Sequence, residues 1–432
     1  MLSVKNPIMT GFFPDPSICR VGNKFYTVHS TFAYFPGVPV FESEDLVHWN
    51  LISNVLDRDS QVPLSGCQHS QGIFAPTIRY HKGTWYMITT NVSDQGNFIV
   101  TAKDPRGPWS EPYYLGESTG GIDPSLFFDD DGTCYYIGQR PRSAGYRYNG
   151  DCEIWIQTLD LDTMQLKPDA TIVLTGFQRK AIWPEGPHLY KKDGYYYILH
   201  AESGTSIHHS VMIARSKNVF GPYEYCPCNP ILTHRHLGAQ YPVTCVGHAD
   251  LVDDGNGNWY MVVLACRPNQ GYTLLGRETF LAKVTWEDGW PVVNAGVGHL
   301  EEVVTLPYEG QPSDDVPQCK TYTFDTPSLP LELLTLRNHR DHELELHAEE
   351  HIVRLFHRCD SLKDCGEPAY LALRQQHWNC EFETSFIPHF CKESDCAGIA
   401  MVQSNENHLR AECYPQDSGV KLVVSLCKDG KD

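Results

Sequence analysis

Several things are scarce in this chain of 432 residues, and each scarcity excludes something. Basic residues are few: 34 Lys and Arg stand against 53 Asp and Glu, for a formal net charge of −19. Nucleic acids and anionic membranes are held chiefly by Lys and Arg, so neither is expected as a partner. No apolar run approaches the roughly 18 residues of a membrane span. Met1 to Thr10 has one Lys and no apolar stretch of the secretory kind, which predicts a cytoplasmic protein. Helix-period segments with caps are nearly absent. The sixteen cysteines include no C-x-x-C pair; the nearest approach is Cys226-Pro227-Cys228. Zinc spacing is therefore missing, and reduced thiols in a reducing compartment are the simpler reading. Aromatics, by contrast, are plentiful, with 9 Trp, 23 Tyr and 18 Phe. They suffice for large cores and for sugar-stacking surfaces.

What is present is a repeat. A turn residue, a bulky residue and a Tyr lead into an apolar strand at Asn23-Lys24-Phe25-Tyr26, Gly83-Thr84-Trp85-Tyr86, Gly132-Thr133-Cys134-Tyr135, Gly194-Tyr195-Tyr196-Tyr197 and Gly257-Asn258-Trp259-Tyr260. A second element precedes each Tyr: Asp15-Pro16, Ala75-Pro76, Asp123-Pro124, Glu185-Gly186-Pro187 and His248-Ala249-Asp250. Five strand–turn–strand repeats, roughly 50 to 60 residues apart, predict a five-bladed β-propeller with four-stranded blades over 1–308. The polar stretch within 309–318 (GQPSDDVPQ) reads as a linker. Beyond it, Glu343 to Phe356, Asn379 to Phe386, Ala397 to Val402 and Val420 to Cys427 are strand-like without the repeat. They predict a smaller C-terminal β-sandwich over 319–432. It is expected to be incomplete, because Lys428-Asp429-Gly430-Lys431 reads as a hairpin turn with no returning strand.

The first strand of a propeller blade lines the central channel, so the five elements ahead of the Tyr residues should meet around one pocket. Three carry an acid in register: Asp15, Asp123 and Glu185. Converging carboxylates repel, which raises at least one pKa. One carboxylic acid to protonate a leaving oxygen and one carboxylate to activate water is the requirement of glycoside hydrolysis. A duplicated turn motif would also repeat Asp-Pro, but three acids in register argue for chemistry.

These residues resemble glycoside hydrolase family 43. The resemblance is carried by Phe13-Pro14-Asp15-Pro16-Ser17-Ile18, Gly121-Ile122-Asp123-Pro124-Ser125-Leu126 and Trp183-Pro184-Glu185-Gly186-Pro187-His188. Ser30 to Pro39, Gly72-Ile73-Phe74-Ala75-Pro76, Gly247-His248-Ala249-Asp250-Leu251, Leu275-Gly276-Arg277-Glu278-Thr279-Phe280 and Arg374-Gln375-Gln376-His377 extend it over nearly the whole chain. It points to the β-xylosidase and α-L-arabinofuranosidase branch. The resemblance implies an exo-acting, inverting hydrolase that releases terminal β-D-xylosyl or α-L-arabinofuranosyl residues from xylo-oligosaccharides or arabinoxylan fragments. An endo-acting arabinanase and a non-catalytic sugar-binding propeller are the alternatives.

By the same resemblance Asp15 is the general base, Glu185 the general acid, and Asp123 the acid that raises and orients Glu185. Arg277 contacts substrate, and Phe32, Phe74 and His248 line the pocket. No cofactor is required, though the resemblance admits a calcium ion in the propeller centre beside His248. It also implies an aromatic-bearing loop over the pocket, from a segment beyond residue 432. His208-His209 and His234-Arg235-His236 read as loop residues. The expected partner is a pentose-containing oligosaccharide; homo-oligomer formation stays open.

Overall fold

The structure, a computed structural model, describes residues 1–116, 120–176, 179–312, 319–338 and 344–431. Among the described residues it is all-β, with almost no helix; Arg235–Leu237 forms a 3-10 turn. The Tyr repeat falls where the sequence places it, on the second strand of five successive antiparallel sheets. The first sheet runs Ser17–Val21, Lys24–Val28, Gly37–Ser43, Asn50–Leu56, and the second Thr77–His81, Thr84–Asn91, Gly96–Ala102, Tyr113–Tyr114. The third runs Ile122–Phe128, Cys134–Pro141, Cys152–Asp160, Gln165–Leu166, with Thr171–Thr175 added to its third strand. The fourth runs Glu185–Lys192, Tyr195–Glu202, Ser210–Ser216, Glu224–Tyr225, and the fifth Thr244–Asp253, Trp259–Cys266, Glu278–Glu287, Trp290–Val293. Each is a meander, because tight turns let consecutive strands pair.

The five first strands neighbour one another in a closed cycle. Ser17–Val21 lies beside both Thr77–His81 and Thr244–Asp253, and the cycle continues through Ile122–Phe128 and Glu185–Lys192. The core follows the same cycle, with one apolar cluster between each adjacent pair of sheets. Tyr26 meets Trp85 between the first and second, and Tyr136 meets Trp155 at the second-to-third junction. Each fully buried large apolar side chain contributes about 1.5–3 kcal/mol. The cycle is closed by the two ends of this region: Leu2–Lys5 pairs antiparallel with Val303–Leu306, Leu2 opposite Leu306.

Of the expected linker, residues 313–318 lie outside the described residues, as does Glu343 of the expected strand from Glu343 to Phe356. That strand is in fact a hairpin, Leu344–His347 with Ile352–Leu355. Asn379 to Phe386 is not a strand: it is unpaired, and Phe382 and Phe386 are exposed. Its residue types suit a strand, but no neighbour among the described residues supplies a ladder. Ala397–Val402, His408–Gln416 and Gly419–Cys427 form a three-stranded sheet, and Lys428 and Lys431 close the turn after it.

The two regions are joined by a fully buried guanidinium that sequence alone does not flag. Arg337 donates from Nε to the Cys67 carbonyl at 2.6 Å and from Nη1 to the Gly366 carbonyl at 2.7 Å. Next to it, Thr335–Leu336 pairs with Tyr34–Phe35 of the first repeat.

Candidate active site

The candidate residues sit at the entry to the first strands, where the backbone is locally bent. Asp15, Asp123 and His248 have φ of +53°, +54° and +49°, in the left-handed region that few non-glycine residues adopt. The ladder also slips there. Register shifts fall between Ile122 and Ser125, between Glu185 and His188, and between Gly247 and Ala249. Bulges of this kind re-aim a side chain out of the sheet plane. These bends turn the strand ends that carry Asp15, Asp123, Glu185 and His248 toward one channel.

Asp15 is buried and fully engaged. Its Oδ1 accepts from Arg277 Nη1 at 2.7 Å and its Oδ2 from the Ser30 hydroxyl at 2.6 Å, while His248 Nδ1 stands 3.7 Å from Oδ1. Burial pushes its pKa up, but Arg277, His248 and Ser30 outweigh it and hold the carboxyl below its usual value. Arg277 is fixed by its own backbone, whose carbonyl accepts from Phe13 N at 3.0 Å. The adjoining Glu278 is fully buried; it takes Arg267 in a two-pronged pair at 2.7 and 2.8 Å and the Gly11 N–H at 3.0 Å.

Glu185 is in the opposite setting. Burial, and then the charge of Asp15, raise its pKa to about 7 against the opposing pull of Arg277. Asp123 is raised as well, by burial first and then by Glu185 and Asp15, although it accepts the Gly186 N–H at 3.2 Å. Asp123 was expected to be the anion that lifts Glu185. Repulsion between two buried carboxyls is mutual, and the more enclosed Asp123 competes for the same proton. The two therefore titrate as a pair rather than as a fixed acid beside a fixed anion.

Phe32 and Phe74 meet edge to face with centroids 5.4 Å apart, and the Arg277 guanidinium lies 5.1 Å from the Phe32 ring centre. Phe12, not singled out by sequence, joins them at 5.6 Å from Phe32. The wall depends on Gly72, because a Cβ there would come within 2.4 Å of the Phe32 carbonyl oxygen. On the Glu185 side a groove opens between the third and fourth sheets, lined by Tyr146, Arg147, Tyr148, Trp183 and Thr205 among others. The tyrosines escaped sequence reading because their loop carries no repeat. From the C-terminal region Arg374 reaches over the Phe13 ring at 5.0 Å, and Arg267 lies 5.2 Å from the Trp378 ring centre.

Two of the loop histidines are nonetheless enclosed. His209 lies outside the strands, as expected, but not in solvent. It is buried, its Nδ1 bonds the Cys245 carbonyl at 3.0 Å, and its ring occupies the space a Cβ on Gly247 would take. His234 is also buried, between the Val243 carbonyl and the Leu300 N–H.

His248 packs its ring against Gly186, where a Cβ would lie 2.9 Å from Nε2. Burial above all lowers its pKa, which favours a neutral ring. The set around it does not suit calcium, which needs six to eight oxygen ligands. Among the described residues no group of three or more His, Cys, Asp or Glu side chains is placed to hold a metal. The two carboxylates nearest in sequence register, Asp15 and Asp250, have their oxygens engaged by Arg277 and Ser30 and by Arg79, Ser17 and Tyr190.

This chain is similar to known proteins along nearly its whole length. The description of Glycosyl hydrolases family 43 matches residues 4–291, and that of the Beta xylosidase C-terminal Concanavalin A-like domain matches residues 321–432. A "Xylosidase/arabinosidase" of Butyrivibrio fibrisolvens is 55% identical over 413 residues, covering 95% of this chain and 79% of that protein. A "Non-reducing end alpha-L-arabinofuranosidase BoGH43B" of Bacteroides ovatus is 40% identical over 418 residues, covering 94% of this chain and 74% of its own length. The crystal structure of a xylan beta-1,4-xylosidase from Bacillus halodurans superposes with a TM-score of 0.87 at 36% identity, over 99% of this chain and 83% of that one. With one family model over residues 4–291, its β-sandwich companion over 321–432 and a relative 55% identical, this all-β chain belongs to glycosyl hydrolase family 43.

Proposed function

We propose that this hydrolase removes single pentoses, β-D-xylosyl or α-L-arabinofuranosyl, from the non-reducing ends of xylo-oligosaccharides and arabinoxylan fragments, with inversion. The observation that carries the reading is the electrostatic contrast across one pocket: Asp15 is held below its usual range while Glu185 is lifted to about 7. At neutral pH Asp15 is then an anion able to take a proton from water, and Glu185 retains a proton to give to the leaving oxygen. In this reading Asp123 shares and orients the Glu185 proton. Arg277 holds Asp15 ionised and donates to sugar hydroxyls. Phe32 and Phe74 receive the pentose face, and His248 bonds the sugar bound beside Asp15. The Tyr146, Tyr148 and Trp183 groove takes the leaving part of the chain. Inversion requires a water between base and sugar, hence about 6.5–9.5 Å between the two carboxyls.

The same reading counts the five sheets as five blades and places the catalytic unit at 1–308, a linker at 309–318 and the sandwich at 319–432. It requires no cofactor. The sixteen free cysteines favour a reducing, cytoplasmic setting. The test is hydrolysis of nitrophenyl β-xyloside and nitrophenyl α-arabinofuranoside side by side, with proton NMR of the first product and time-resolved products from xylotetraose. Free pentose from the first minutes, released from the β-xyloside as the α anomer, is expected. Early internal fragments, or a retained anomer, would overturn it.

A further inference from the structure

Each first strand that brings a candidate residue to the pocket carries a second polar residue two or three positions further on. Ser17 follows Asp15, His188 follows Glu185, and Asp250 follows His248. All three converge on one side chain from the second sheet, Arg79. Its Nη1 donates to Ser17 Oγ and to the Ile18 carbonyl at 3.2 Å each, and to Asp250 Oδ2 at 3.0 Å. Its Nη2 donates to His188 Nδ1 at 3.1 Å and to Asp250 Oδ1 at 3.3 Å. Asp250 is fully buried and accepts in addition from Ser17 Oγ at 2.8 Å, Ile18 N at 3.0 Å, Leu251 N at 3.0 Å and the Tyr190 hydroxyl. A carboxylate offers about four lone-pair sites, and these are taken.

The remaining sheet is tied to the same layer through its neighbours. Thr77 Oγ1 donates to the Pro124 carbonyl at 3.1 Å, and Ser125 Oγ to the Pro187 carbonyl at 2.7 Å. Burial drives the His188 pKa down to about 3, so the ring is neutral and its Nδ1 can accept from the guanidinium. Arg79 and Asp250 thus form a neutral pair in the channel, one layer beneath the acids. A buried ion pair of this kind adds little net stability over an apolar filling. What it does supply is direction: a planar fork holds partners at set angles, as a point charge does not.

We propose that Arg79 is a positioning residue for catalysis, a built-in cation in the channel one layer beneath the acids that fixes the strands carrying Asp15, Glu185 and His248. The inference rests on the proposed roles of Asp15 and Glu185. It predicts that the protein takes no calcium in this layer, since the anion there is already neutralised and a guanidinium faces any incoming ion.

The experiment has a metal arm and a variant arm. Chelator-treated wild-type protein should give no heat on titration with calcium chloride, and its Tm should be the same with calcium or with EDTA. Calcium binding with a rise in Tm would overturn the proposal, whether or not the protein hydrolyses pentosides. In the variant arm, Arg79→Lys keeps the charge and loses the fork. Misplacement by about 1 Å can cost about 100-fold in rate, so kcat should fall by about that factor with KM nearly unchanged. A folded Arg79→Lys with wild-type kcat would overturn it. Should that variant fail to fold, Tyr190→Phe removes one contact to Asp250. Its kcat should fall by about tenfold, the equivalent of one lost hydrogen bond, with KM held; an unchanged kcat overturns the proposal. Wild-type protein inactive on all pentosides would instead sink the functional reading and leave the calcium result standing.

Discussion

The five repeated sheets and the three-stranded sheet near the C-terminus use similar strands and treat their apolar faces in opposite ways. In Thr84–Asn91 every residue after the first is buried, because a neighbouring sheet covers each face. In Gly419–Cys427 the alternate residues Val420, Leu422, Val424 and Leu426 are 55%, 64%, 65% and 60% exposed. Period two puts those four on one face, and Met401 and Leu409 continue it across the sheet. A ring of repeats gives every sheet two neighbours; a sheet outside the ring must find its cover elsewhere. The ring is therefore where strain can be held, as in the left-handed Asp15, Asp123 and His248.

The largest effect expected from that contrast is on rate. Asp15→Ala and Glu185→Ala should each lower kcat/KM by several orders of magnitude, since general acid–base catalysis alone supplies about 10²–10⁴. Their Tm should stay near wild type, because the packed ring sets the fold. Steady-state kinetics beside calorimetry checks both. A variant that retains near-normal turnover removes its residue from the chemistry.

Next in size is the joint between the two regions. Arg337→Ala leaves the Cys67 and Gly366 carbonyls without their charged donor and opens a space in a closed contact. A loss of about 3 kcal/mol is expected, read as an earlier midpoint in urea. A biphasic curve with the later phase unmoved would mean that the joint fails while the ring stands alone.

Smaller is the stability stored at Glu185. Its folded pKa, about 7, lies above the ordinary 4.5. Folding is thus favoured below the lower value, and that advantage is lost as pH rises through about 7. Glu185→Gln removes the titration, so its Tm should exceed that of wild type at pH 8 and match it at pH 4.5. In wild type the alkaline limb of kcat should fall near the same pH. Asp123→Asn should shift that limb, because the two acids share a proton. A limb that stays in place separates Asp123 from Glu185.

How far this was legible varies with range along the chain. The Tyr repeat and the acid positions were readable because duplication writes them locally, in register; Phe32 and Phe74 came from the family resemblance alone. Arg79 and Arg337 were not readable. Each is an isolated polar residue within a strand or loop pattern, and its partners lie far off in sequence, as with Arg79 and Asp250 or Arg337 and Cys67. Only closure of the ring brings them together. Asn379 to Phe386 shows the converse, a strand-like composition that found no neighbour to pair with.

The smallest effect should come from the open face of the last sheet. Val424→Thr keeps the β-branched shape that a strand prefers and exchanges one methyl for a hydroxyl. At a buried site that exchange would strand a polar group. Here the position is 65% exposed, so the hydroxyl keeps its water and little apolar area is at stake. The Tm should move within the scatter of surface substitutions, about 0.5 kcal/mol either way, and kcat should not change. In the ring the same exchange at Val263, fully buried between the fourth and fifth sheets, should cost about 1–3 kcal/mol. Equal losses at the two sites, measured by urea unfolding, would mean that the face about Val424 is covered in solution and that the contrast between the regions is not one of burial.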